Sequence, residues 1–181
     1  MKPVPRISTR GYYNLLNGKT IKNNSYYLYP KQDFKKLIDS KELTIMIHGL
    51  RNDNAGAIAK VVLAKNKLKK LGYSYPVIGY SYDSNTTGAH LLKYAKRSLA
   101  AGQVIAKKNG CNLGKFIEDF KSDSPNTKIR LIGHSLGTQV ILSTLEYLAK
   151  KKSNFEIVEG VYFFGASITD DVPSSKKYGK T

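Results

Sequence analysis

The sequence predicts an α/β fold: a three-layer αβα sandwich on a mostly parallel sheet. Three observations carry this. From residue 43 onward, apolar runs of strand length alternate with segments of helical period. The runs are apolar throughout rather than at every second position, as strands buried on both faces are. One of them ends in Gly133-His134-Ser135-Leu136-Gly137, where strand pattern turns into helix pattern without a loop between. A chain of 181 residues suits one domain.

The elements follow in order. Residues 1–42 are rich in Tyr, Asn and Lys and lack a clear period, and read as an N-terminal extension or edge segment. Within it, Tyr26 to Tyr29 fits a short strand closed by Pro30, and Phe34 to Ile38 a short helix. Residues 43–181 form the predicted core. Leu43 to Ile47 is its first strand and ends at His48-Gly49. Ala55 to Leu71 places Ile58, Val61, Val62, Leu63, Leu68 and Leu71 at largely helical spacing, with Gly72 as the stop. Pro76 to Tyr80 is the next strand, followed by the polar loop Ser81 to Asn85. Gly88 to Lys108 reads as a helix with Leu91, Leu92, Ala95, Leu99 and Val104 as its apolar stripe, broken at Asn109-Gly110, and Leu113 to Phe120 as a second, shorter one. Lys128 to Ile132 is a strand, Leu136 to Lys152 a helix and Ile157 to Phe164 a strand. Alternation of this kind puts helices on both faces of a parallel sheet.

Composition narrows the function classes. The formal net charge is +17, which favours polyanionic partners such as nucleic acid or an anionic membrane surface. The lysines are scattered, however, and their two clusters, Lys65 to Lys70 and Lys150 to Lys152, fall late in predicted helices, where they complement the helix dipole. A solvated face is the simpler reading. Zinc-ligand spacing, a glycine-rich RNA-binding motif and an arginine-rich arm are all missing. So is a G-x-G-x-x-G after a strand, which argues against a dinucleotide cofactor. The single cysteine, Cys111, reads as a small structural residue. No apolar run nears the roughly 20 residues of a membrane span, and the N-terminus lacks an apolar signal core. The expected location is the cytoplasm.

Gly133, Ser135 and Gly137 form the pattern G-x-S-x-G. A serine there sits on a tight strand-to-helix turn in a strained backbone conformation, and its flanking positions have no room for a Cβ because strand and helix nearly touch. The turn lifts the Ser135 hydroxyl above the sheet's C-terminal edge as a candidate nucleophile. The free N–H groups of the helix start point at the same space, Leu136 first, as an oxyanion donor. His134, preceding the serine, is expected to point away from it. His48-Gly49-Leu50, taken alone, is an ordinary strand-end turn. Beside the elbow it reads as an oxyanion loop, with His48 structural and the Leu50 N–H as second donor.

The runs IMIHGLRND (45–53), PVIGYSYD (76–83) and IRLIGHSLGTQVILSTLEYL (129–148) resemble the α/β-hydrolase superfamily in its lipase- and esterase-like branch, and within it a group of uncharacterised archaeal members. The resemblance covers about residues 43–171. It implies hydrolysis of an ester, thioester or related acyl substrate without metal or cofactor. It also implies a catalytic histidine after two further strands, whereas this sequence stops at Thr181, so the chain reads as an incomplete α/β-hydrolase fold. Its three histidines are His48, His90 and His134. Of these only His90 is left as a base, and it reads more simply as a surface or capping residue. Asp170 and Asp171 fall where some lipases place the triad acid, and equally suit a solvated loop. Asp83, at a strand's C-terminal end, would shape the pocket or cap the following helix. The chain alone is therefore expected to be weakly active or inactive. A parallel sheet ending at the strand Ile157 to Phe164 would expose an apolar edge to a second copy or a completing chain. The rival reading is a non-catalytic binding module whose basic surface holds an anionic partner.

Overall fold

A computed structural model describes residues 4–22, 25–151 and 157–167. Six strands form one sheet in the order β2-β1-β4-β3-β5-β6. They are β1 (Arg6–Ser8), β2 (Tyr27–Tyr29), β3 (Glu42–Ile47), β4 (Val77–Ser81), β5 (Lys128–His134) and β6 (Val158–Phe164). Only the β1–β2 pair is antiparallel. The helices are α1 (Lys31–Phe34), α2 (Asn54–Lys70), α3 (Ala95–Asp123) and α4 (Gly137–Lys150). Short 3-10 turns follow α1 and precede α3.

The two faces of the sheet are read off neighbouring residues of β4. Gly79 lies under Val61 of α2, while the Tyr80 hydroxyl donates to Asn109 Oδ1 of α3 at 2.8 Å. So α2 covers one face, and α3 packed on α4 covers the other, which is the three-layer αβα sandwich. The central strands are buried almost completely: β4 along its whole length, and Leu43, Ile45, Ile47, Ile129 and Leu131 at 0% exposure. That burial is why they are apolar without alternation. α2 starts where Asp53 accepts the Gly56 N–H at 2.7 Å, an N-cap that places its first turn a residue earlier than the apolar pattern alone.

Two expectations are corrected. The helix expected to break at Asn109-Gly110 runs unbroken from Ala95 to Asp123. Asn109 is wholly buried and works as an internal polar anchor. Its amide donates to the Ile105 carbonyl, and its Oδ1 accepts from Thr9 and Tyr80. Gly110 belongs to a stripe of small residues, Gly102, Ala106, Gly110 and Gly114, spaced four apart along one helix face. A Cβ on Gly110 would stand 2.4 Å from Ser143, and one on Gly114 2.2 Å from the Tyr147 ring. These glycines let α3 and α4 approach; they do not end the helix. The second concerns the N-terminus, expected as an extension or edge segment: it does supply the sheet's edge, but as an integral part of the sheet. Beyond the expected strand at Tyr27–Tyr29, β1 lies inside the sheet, paired parallel with β4 through Arg6–Gly79, Ile7–Tyr80 and Ser8–Ser81.

Candidate active site

β3 lies between β4 and β5: the crossover after β3 leads to one side of it, and the next, from β4 to β5, to the other. In open α/β sheets the crevice outside the strand C-termini at such a reversal is where ligands bind. Here that crevice falls between the end of β3, His48-Gly49-Leu50, and the end of β5, Gly133-His134-Ser135.

Ser135 has φ = +51°, one of three non-glycine residues with a positive φ among those described. A side chain in the left-handed region costs about 1–2 kcal/mol and persists only where neighbours over-determine the backbone. Ser135 is held in that way. Its N–H donates to the Phe164 carbonyl at the end of β6 (2.9 Å). Its carbonyl accepts from the Thr138 N–H (3.0 Å) and from Thr138 Oγ1 (2.7 Å). The flanking glycines are required by close approach: a Cβ on Gly137 would stand 2.5 Å from the Ile47 carbonyl oxygen, and one on Gly133 2.8 Å from Ile141 and 3.0 Å from the Thr138 nitrogen.

The β3 loop comes in from the opposite side, with a Cβ built on Gly49 only 2.9 Å from the Ser135 Cβ. Among the described residues the N–H groups of Leu136, Gly137 and Leu50 have no acceptor. Leu136 is buried, already in helical conformation and free of a side-chain cap, so its N–H belongs to the positive end of α4. The side chains of Leu50 and Leu136 meet over Gly102 of α3, where a Cβ would stand 2.6 Å from one and 3.0 Å from the other. Both amide-bearing segments are thus positioned by one spot on one helix.

The histidines take separate places. His48 is wholly buried and stacked on Tyr82 with ring centroids 4.7 Å apart. The Tyr82 N–H donates to its Nε2 at 3.3 Å, and the Arg10 guanidinium lies 3.4 Å from the same nitrogen. The proton therefore sits on Nδ1 and is donated to the Gly49 carbonyl at 3.0 Å. Burial holds the ring neutral, with its pKa pushed down to about 3. His48 thereby fixes the loop and has no free nitrogen for Ser135. The half-buried His134 faces Gly49, and its Nδ1 is buried without a partner among the described residues. His90 is exposed, before the 3-10 turn, and its Nε2 pairs with Asn85 at 3.0 Å; no hydrogen bond joins it to Ser135. Asp170 and Asp171 lie outside the described residues.

The partner of the Ser135 hydroxyl is Ser167, Oγ to Oγ 3.2 Å. Ser167 also gives its N–H to Thr138 Oγ1 at 3.4 Å, so the segment after β6 folds back over the elbow. Asp83 neither lines the crevice nor caps α3. Its carboxylate accepts the N–H groups of Gly11, Tyr12 and Tyr13, each at 3.0 Å. Gly11, at φ = +80°, gives the turn that makes three successive amides converge, a backbone nest for an anion. Arg10 extends the same lock. Its Nε donates to Ser81 Oγ at 2.7 Å, and one terminal nitrogen donates to the carbonyls of Asn52 and Asp53 at 3.1 and 2.8 Å. Arg10 carried no signal in the sequence, being a lone arginine in an unpatterned stretch, and Ser167 stood out only as the end of the Gly165-Ala166-Ser167 segment after a strand, with no role attached. Among the described residues no group of three or more His, Cys, Asp or Glu could hold a metal ion, and no helix is long and apolar enough to cross a membrane.

The fold and the crevice define a class: an αβα protein with a strained serine at the topological switch point of its sheet, flanked by amides that are unpaired among the described residues. More particularly, the chain belongs to the family described as protein of unknown function DUF726, which matches residues 57–179. No curated protein and no solved structure matches it.

Proposed function

We propose that this chain is a serine hydrolase of the α/β-hydrolase type acting on ester or related acyl bonds. The observation that carries the reading is the backbone of Ser135, held at φ = +51° between two glycines that no other residue could replace without a clash. Folding tolerates such strain where it sets a side chain for chemistry. The proposed reaction begins with attack of Ser135 Oγ on the acyl carbon. The carbonyl π electrons move to oxygen, and the N–H groups of Leu136 and Leu50 hold that oxyanion. Collapse expels the leaving group, and water then cleaves the acyl–Ser135 ester.

The step that needs help is removal of the serine proton. None of the three histidines is bonded to Ser135 Oγ, and a neutral serine partner cannot take the proton at ordinary pH. The base is therefore proposed to come from outside this chain, and the chain alone should be slow by several orders of magnitude, retaining what the amides supply.

Added imidazole tests this directly. Incubated with p-nitrophenyl acetate, the protein should form an acetyl adduct on Ser135, located by mass spectrometry, and imidazole should raise its rate of formation. Ser135→Ala should abolish the imidazole-dependent excess while keeping its circular dichroism. An adduct spread over lysines, or an excess that survives Ser135→Ala, would overturn the assignment.

A further inference from the structure

The connection from β4 into α3 carries apolar side chains into solvent among cations. Leu91 is 51% exposed and Leu92 92%, just ahead of Lys93, Lys96 and Arg97. Along the outer flank of α3, Leu99 and Val104 are also exposed. The loop of residues 14–22 adjoins this flank. Thr87 donates its N–H to the Leu15 carbonyl at 3.0 Å, Lys108 Nζ donates to the Gly18 carbonyl at 2.8 Å, and Gly18 abuts Val104. That loop adds Ile21, 63% exposed, beside Lys22.

The charge of these segments is one-sided. Residues 1–32 contain no Asp or Glu, and neither do residues 84–117. Two stretches remote in sequence, both free of carboxylates, are brought together, and each presents exposed aliphatic side chains. A single exposed leucine is ordinary and needs no explanation. Adjacent leucines standing out of a turn, followed at once by three cations and with no carboxylate anywhere in residues 84–117, form a pattern with a partner chemistry.

We propose that this face docks on an anionic phospholipid surface. The lysines and Arg97 would meet the headgroups, and Leu91 and Leu92 would enter the acyl boundary, as the apolar residues of interfacial segments do. Charge complementarity selects an anion, and the aliphatic side chains select lipid over nucleic acid. Phosphates of a nucleic acid would use the cations but leave the leucines idle, because bases stack on aromatic rings. Tyr94 is 40% exposed and lies under Lys93 Nζ, 4.9 Å from its ring centroid, a pairing that also suits the headgroup zone. The docking itself does not depend on Ser135 being a nucleophile.

Flotation of the full chain tests the proposal. Vesicles of phosphatidylcholine mixed with phosphatidylserine should carry the protein, and vesicles of phosphatidylcholine alone should not. Raised salt should weaken the binding. Replacing Leu91 and Leu92 by serine should lower the partition by roughly tenfold or more, from the aliphatic area lost. Lys93→Gln, Lys96→Gln and Arg97→Gln together should lower it as well. Both variants alter exposed residues, and unfolding curves matching the wild type would show that the fold is kept. Three results would each defeat the idea: no flotation of the wild type, a folded leucine variant that floats as well as the wild type, or single-stranded RNA that binds more tightly and displaces the protein from vesicles.

Discussion

At the scale of single residues, the site is organised by side chains that do no chemistry. Ser135 occupies a costly conformation because Phe164 and Thr138 fix its backbone from both ends. His48 fixes the facing loop by the same logic, with both ring nitrogens committed and the ring sealed against Tyr82. The G-x-S-x-G pattern and the His-Gly pair were legible in the sequence because each demands a particular residue type. The tautomer of His48 was not, since it depends on Tyr82 and Arg10 arriving from elsewhere in the chain. Burial of His48 has a measurable consequence. Its pKa falls from 6.5 to about 3 on folding, so below about pH 6.5 the unfolded chain binds a proton that the folded chain does not. Stability contributed by the neutral ring is present above pH 6.5 and is lost as the pH drops towards 3. Between pH 7 and pH 5 this single group should remove about 2 kcal/mol of unfolding free energy. His48→Gln, although less stable at pH 7, should show a correspondingly shallower fall in urea denaturation over that interval. Equal slopes would mean that the ring is solvated or charged in the folded protein.

At the scale of elements, the parallel strands β3 to β6 and the helices α2 and α4 were readable because burial on both faces makes a strand continuously apolar and a Gly or polar cap ends a helix. α3 was misread for an equally physical reason. Asn-Gly is ordinarily a turn signal, and local propensity cannot show that Asn109 will find three partners inside a core. The four-residue spacing of Gly102, Ala106, Gly110 and Gly114 was the available clue, marking a helix face made narrow for a neighbour. Gly110→Ala separates the two readings. Helix propensity alone favours alanine by about 1 kcal/mol. Contact with Ser143 opposes it, because the backbone carbonyl carbon of Ser143 lies 2.4 Å from the new Cβ and its oxygen 2.7 Å away, atoms that no rotamer change can move. Overpacking of that kind costs about 1–3 kcal/mol and should win. The variant should therefore be destabilised, by up to about 2 kcal/mol in chemical denaturation; a gain in stability would show that α3 and α4 have room for the added methyl.

At the scale of the whole molecule, the N-terminal segment is what joins the sheet to the crevice. Three residues of β1 are too short to display a period, and hydrogen bonds from backbone amides to a carboxylate leave no trace in composition, so residues 1–42 read as an extension or edge segment. Folded, β1 covers the edge of β4, Asp83 gathers the amides of Gly11 to Tyr13, and Arg10 ties Ser81 to the carbonyls of Asn52 and Asp53 behind the His48 loop. The carboxylate is the joint on which the rest hangs, and Asp83→Ala should show it. That change strips the acceptor from the amides of Gly11 and Tyr13 and leaves Tyr12 only its longer bond to the Thr9 carbonyl, 3.3 Å, and each buried donor left unmade costs about 1–3 kcal/mol. Some of the loss is recovered if the 10–13 turn opens to water, so a net loss of about 3 kcal/mol is expected, large against the 5–15 kcal/mol typical of a domain. Opening of the turn also predicts where the effect is felt. Hydrogen exchange should accelerate at Gly11 to Tyr13 and, through Arg10, at the start of α2 and the loop after β3, while β5 and α4 stay protected. Uniform acceleration across all elements would mean that Asp83 supports only global stability and that the N-terminal lock does not brace the crevice.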